Sequence, residues 1–340
     1  MTYDLRRGTM ADRAPLETMS TLDRPDRHVE RGAAAESVHP ARLRTLGAFA
    51  ATYFIWGSNF LAIRYAVETV PPLLMMAARC ALAGGALYVW ARRRGAREKA
   101  AQWGPAFVAG GLLFLGCHGL LAMAERRVAS GLSALVLATI PLWMVLLDWA
   151  RPAGRRPGTA VFGGIVLGFT GLAVLLGPDP LRGALDARGA AVLVLSALSW
   201  TAGSVYVRAA RLPASTPLST GMQLLGGAAL LALAAVGTGE LPHFDPRAVT
   251  ARSLASLAYL VVFGSIVAFT AYVWLLGTTT PARAGSYAFV NPLVAVLLGW
   301  IAAREPLTPR VGAATAVIVV AVALITVARQ DHPSHCKRSA

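Results

Sequence analysis

The stretch IWGSNFLAIR, residues 55–64, returns in altered form as LSWTAGSVYVR, residues 198–208; in both a Trp is followed eight positions later by an Arg. Trp56 and Trp200 lie 144 residues apart, as do Arg64 and Arg208, and the same offset sets Arg79 against Gln223 without a gap. Further on, ATIPLWMVLLDW (138–149) and FVNPLVAVLLGW (289–300) match at an offset of 151, pairing Pro141 with Pro292 and Trp149 with Trp300. The longer second offset fits a longer loop between the second and third spans of the second copy. One unit has been duplicated.

Composition says where the unit resides. Of 340 residues, 56% are hydrophobic and 14% charged, at a mean hydropathy of +0.55, whereas soluble chains carry about 25% charged residues. A hydrocarbon core roughly 30 Å thick takes about 20 apolar residues per helix. Ten such spans are predicted, at about 46–68, 72–91, 103–124, 128–149, 159–177, 189–209, 216–236, 253–276, 282–303 and 309–327. Five spans per copy is an odd number, so the second copy crosses the membrane in the opposite sense to the first. The fold class is therefore an all-α membrane protein of ten transmembrane helices, built as two inverted five-helix repeats, an architecture associated with alternating access around a midplane site.

The net charge of +15 would in a soluble protein point to nucleic acid. Here the arginines crowd into the first 44 residues and the loops ARRRGAREK (91–99), RPAGRRPG (151–158) and RAARLP (208–213). The opposite loops, such as GTGELPHFDPR (237–247), offset arginine with acids. This asymmetry predicts a multi-pass protein of the plasma (inner) membrane with both termini cytoplasmic, and no nucleic-acid partner. Residues 1–43 lack apolar periodicity and read as a disordered cytoplasmic arm, with Met10 or Met19 as alternative starts; residues 329–340 read as a cytoplasmic tail. The repeats are placed at 45–177 and 189–328.

At this point the residues match a known pattern. IWGSNFLAIRYAVETVPPLLMMAARCALAGGAL (55–87), ASGLSALVLATIPLW (129–143) and PARAGSYAFVNPLVAVLLGWIAAREPLTPRVGAATAVIVVAVAL (281–324) resemble the EamA family of the drug/metabolite transporter superfamily. The resemblance implies helices one to four and six to nine around a central cavity. It also implies secondary transport of small metabolites, amino acids or related compounds, and an exporter is expected. One departure stands out: Glu305 of REPLT has no counterpart in WARPAGRRPG (149–158).

Ionisable or amide groups inside spans are penalised by at least about 2.5 kcal/mol when charged and mark functional candidates. Arg79 is the foremost, against snorkelling or a pair with Glu68. Asn59, Gln223 and Asn291 are expected to face the same cavity, because an amide in hydrocarbon must find a partner; for Gln223 plain interhelical bonding is the alternative. Arg64 and Arg208, near span ends, are expected to snorkel. Trp56 shares a helix face with Asn59, and Trp200 occupies the equivalent place; both lie away from the interfacial belts. His118 is a cavity candidate or a hydrogen-bonded packing residue, with Phe269 as its repeat partner. Pro141 and Pro292 are expected to interrupt their spans and gate or kink them.

No HExxH, GxSxG or Walker loop occurs, so neither catalysis nor ATP drive is expected, and no cofactor. His332, His335 and Cys336 are too few and too terminal for a metal site, and Cys80 and Cys117 form no ligand pattern. The partners expected are a small-molecule substrate and the lipid bilayer, with a coupled proton or counter-solute left open, and a monomer or homodimer. The acids nearest spans, Glu68, Glu125, Asp148 and Glu305, fall at span ends, so no buried carboxylate proton carrier is expected. A membrane scaffold or receptor without flux is the rival reading.

Overall fold

The computed structural model describes residues 27–150, 156–176, 187–279 and 286–328, and the side chains from residue 42 onward apart from Val273, Leu276 and Gly277. Residues 1–44 form one unit and Thr45–Ala340 another, to which everything below belongs. Within the first unit the backbone is helical from Arg27, where the sequence reading expected disorder; GAAAES supplies strong helix formers there. Residues 1–26 and the 329–340 tail lie outside the described residues.

The described residues form helices and connecting turns. Nine helices are long and apolar enough to cross a bilayer: α1 (apolar over Arg42–Ala66), α2 (Pro72–Arg93), α3 (Ala100–Glu125), α4 (Ser130–Trp149), α5 (Thr159–Leu176), α6 (Ala187–Ala209), α7 (Thr216–Gly237), α8 (Ala251–Tyr272, helical onward to Thr278) and α10 (Pro309–Ala328). A tenth apolar helix, α9 (Tyr287–Ala303), is shorter at 17 residues and starts after a turn at Ser286; residues 282–285, which the sequence reading assigned to this span, lie outside the described residues. All-helical architecture and the expected spans agree.

The copies meet through equivalent helices. A Cβ added to Gly84 of α2 would lie 2.8 Å from Leu224 Cβ of α7, and one on Gly221 would lie 2.8 Å from the Tyr88 amide nitrogen. Likewise a Cβ on Gly164 or Gly171 of α5 would lie 2.7 Å from Ile325 or Ile318 of α10. Lipid tails are as apolar as leucine, so membrane helices associate through close backbone approach, and small residues permit it.

Two features break regular helix in matching places. In α3 the segment Gly111–Gly119, and in α8 the segment Leu260–Val267, take the wider π-helical turn with i→i+5 bonding, a form found mostly at functional positions. Each is tied by a side chain to the carbonyl five residues back: His118 Nδ1 to Leu113 O at 2.8 Å, and Ser265 Oγ to Leu260 O at 3.0 Å. His118 and Ser265 thus play the same local part in their segments, where the sequence offset set His118 against Phe269. The prolines divide. At Pro141 α4 is broken into Ser130–Leu137 and Ile140–Trp149, with Pro141 in the first turn of the second piece, where its missing N–H is harmless. Pro292 instead sits inside the continuous helix Tyr287–Ala303. The expected interruption is not seen there, since a proline so near the start forfeits a single early bond.

Candidate functional site

The site is built where α1, α2, α8 and α9 converge. Trp56 donates Nε1–H to the Gly264 carbonyl at 3.2 Å, inside the wide turn of α8. Its ring lies 5.1 Å from Tyr272 and 4.8 Å from Tyr287, and those two tyrosines are 5.5 Å apart. One helical turn beyond Trp56, Asn59 packs on the same segment: a Cβ on Gly264 would stand 2.7 Å from Asn59 Oδ1. That oxygen is enclosed and has no hydrogen-bond partner.

Arg79 comes in from α2 with 6% of its surface exposed. Its Nε donates to Ser265 Oγ at 3.1 Å, while Nη1 is buried without a partner. Among the described residues no carboxylate lies within ion-pair distance of it; Glu68, the partner considered from sequence, pairs with Arg252 instead. A guanidinium held in hydrocarbon without counter-charge is a group prepared for an anion, and its planar fork suits a carboxylate in particular.

His118 stands on the far side, stacked 5.6 Å from Phe114 and edge-on at 5.4 Å to Trp200 of α6, within electrostatic reach of Arg79. The duplication is legible in this contact. Trp56 of α1 addresses the wide turn of α8, and Trp200 of α6 addresses that of α3. The small partner has changed sides: Asn59 rests on Gly264, whereas a Cβ on its equivalent Gly203 would meet Leu113 Cδ2 at 2.7 Å.

Asn291 is buried on α9; in the amide orientation its neighbours require, its nitrogen donates to the carbonyls of Tyr53 at 3.2 Å and Tyr287 at 3.3 Å. Gln223, also buried, bonds within its own helix, Nε2 donating to Ser219 O and Oγ at 3.1 and 3.0 Å. The structure thus gathers Trp56, Asn59, Arg79 and Asn291 around Gly264, Ser265 and Tyr287, joins His118 to Trp200 in a separate contact, and sets Gln223 on the α7 face that packs against α2 and α3. Sequence reasoning missed Gly264, Ser265, Tyr272 and Tyr287. Tyr287 carried a signal, one turn before Asn291 in YAFVNP; the other three are chosen by tertiary contact alone.

Two expectations about charge fail. Arg64 does not snorkel: it donates Nη1 to Val128 O at 3.1 Å and its Nε lies 3.5 Å from Glu305 Oε1, because α4 begins directly beside it. Carboxylates are also buried after all, with Glu125 2% and Glu305 9% exposed; they sit at span ends, but the neighbouring helix ends cover them.

The family model for the EamA-like transporter family matches twice, at residues 44–177 and 187–327. The chain is 35% identical to the inner membrane transporter YedA of Escherichia coli (strain K12) over 296 residues, covering 86% of this chain and 94% of that protein. It is 25% identical to the transporter YvbV of Bacillus subtilis (strain 168), over 84% and 92% of the two chains. One solved crystal structure superposes with a TM-score of 0.58 at 25% identity, across 84% of this chain and 97% of its own. With two copies of the family's unit filling its membrane region, the chain belongs to the EamA-like transporter family.

Proposed function

We propose that the protein is a secondary transporter that exports a small carboxylate-bearing metabolite, an amino acid or a related solute, by alternating access. It works in the plasma membrane with both termini cytoplasmic, and by flux rather than catalysis. The observation that carries this is Arg79: a buried guanidinium with one nitrogen unpartnered, bonded to Ser265 beside the Gly264 that Trp56 and Asn59 contact. In this reading the unpartnered Nη1 takes the substrate carboxylate while Nε stays on Ser265 Oγ, Asn59 Oδ1 accepts from an ammonium or hydroxyl, and Trp56, Tyr272 and Tyr287 enclose the remainder. Because the site lies where both repeats contribute helices, rocking one against the other exposes it to alternate sides.

The test is efflux of mixed radiolabelled amino acids from proteoliposomes of the purified protein. Arg79→Ala should abolish flux, and Arg79→Lys should leave little of it, since a point charge cannot reproduce the fork. Full flux in Arg79→Ala would refute the site.

A further inference from the structure

At the end of the bundle where α1 finishes, the junction between α9 and α10 reaches across to the other repeat. Glu305 Oε1 accepts from the Ser130 amide at 2.7 Å and Ser130 Oγ at 2.8 Å, and Oε2 from the Gly131 amide at 3.0 Å. It therefore closes the N-terminus of α4, with Arg64 Nε alongside. Arg304 makes this reach possible: it is left-handed at φ 52°, turning the chain so that Glu305 points back. A cavity of about 280 Å³ opens beside this clamp, lined by Arg64, Arg127, Trp300, Arg304 and Glu305 among others.

Glu125, the last residue of α3, has no such arrangement. It is 2% exposed and both carboxyl oxygens are enclosed without a hydrogen-bond partner. The charges that act on it are Glu305 from the α9–α10 junction and Arg64 from α1; Arg126 and Arg127 on its own turn are exposed. Glu305 accepts from three donors with Arg64 alongside, an arrangement that suits an ionised carboxylate. An ionised Glu125 would have no donor, a low-dielectric setting and a like charge beside it, three effects that all oppose its charge.

We propose that Glu125 is a proton-binding site, loaded while Glu305 clamps α4, and unloaded when this end opens and Arg64 transfers from Glu305 to Glu125. The carboxylic acid O–H bond breaks, the proton passes to the water that the opening admits, and the carboxylate left behind takes Arg64 as its counter-ion. Reclosing restores the clamp and takes one proton back. Coupling to solute rests on the transport reading above; proton binding does not.

Infrared difference spectroscopy of the purified full-length protein reads the site directly. At neutral pH the protein should show the carbonyl stretch of a protonated carboxyl, lost in Glu125→Gln and shifted in Glu125→Asp. The second readout is amino-acid flux in proteoliposomes, which in the wild type should change with the pH gradient and in Glu125→Gln should not. A wild-type band unchanged by Glu125→Gln overturns the proton site. A band lost on substitution, with equal pH dependence in wild type and Glu125→Gln, overturns the coupling. With no flux in any variant but the band lost in Glu125→Gln, the site stands and the transport reading falls.

Discussion

Gly84 and Gly85 are neighbours on α2, yet their substitution by alanine should have opposite effects. A Cβ at position 84 would meet Leu224 Cβ at 2.8 Å, the Leu225 amide nitrogen at 3.0 Å and the Gly221 carbonyl at 3.1 Å; at position 85 nothing lies within 4 Å. Two of the three atoms facing Gly84 belong to the backbone of α7, so relief requires α2 and α7 to move apart. Overpacking of this kind costs about 1–3 kcal/mol, offset by about 0.5–1 kcal/mol from replacing a helical glycine. Gly84→Ala should thus lose about 1–2 kcal/mol and Gly85→Ala gain about 0.5–1 kcal/mol. At about 2–4 °C per kcal/mol for a larger chain, melting in detergent, followed by the loss of the monodisperse peak on size exclusion, should fall by several degrees in the first and rise slightly in the second. The pair Gly164 and Gly163 on α5 repeats the experiment against α10, since Gly164 faces Ile325 at 2.7 Å and Gly163 faces nothing. If the four variants shift alike, close contact between equivalent helices does not hold the copies together.

Three further outcomes are expected. Asn59→Ala should cut flux with little loss of thermal stability, because its oxygen has no partner to leave behind, whereas Asn291→Ala should lower stability by about 1–2 kcal/mol by removing its two bonds to the carbonyls of Tyr53 and Tyr287; equal melting of the two variants would contradict this division. In the α2–α3 connection the Tyr88 hydroxyl, donating at 2.6 Å, and then Arg92 hold the Glu98 carboxyl below the ordinary carboxylate value. Its folded value being the lower one, this contact contributes at neutral pH and is lost as acid titrates Glu98, so Tyr88→Phe should move the Glu98 titration upward in carbon-13 NMR. Reporter fusions after Lys99 and Arg211 should read cytoplasm and one near Asp245 the outside; reversal at two of them defeats the inverted topology.

Much of the site could be read from the chain because membrane burial makes polarity conspicuous. Arg79 and Asn59 were found by the expense of such groups in hydrocarbon, and Trp56 with Trp200 by the offset that duplication leaves behind. Ser265 and Gly264 could not be found so, since a serine and a glycine are unremarkable in any span; what distinguishes them is the wide turn of α8, and no local pattern encodes that turn. Arg64 and Glu305 were misjudged for a related reason. Distance from a span end says nothing of what covers it, and here the start of α4 and the α9–α10 junction close over both.

The Glu305 clamp has no twin, and for a carrier that alternates this has a thermodynamic meaning. In a strictly symmetric duplicate the inward and outward facings would be the same structure turned over, hence equal in energy and population. The residue 151 positions before Glu305 is Gly154, which has no carboxylate, and the residue matching Ser130 is Pro281, which has no N–H to donate. One end of the protein thus holds a tie that has no counterpart among the described residues at the other, and the degeneracy is lifted. A difference of a few kcal/mol leaves the disfavoured facing at about 0.1–10%. On the transport reading proposed above, the resting carrier favours the facing in which the Glu305 end is shut, and solute or proton supplies the difference that turns it.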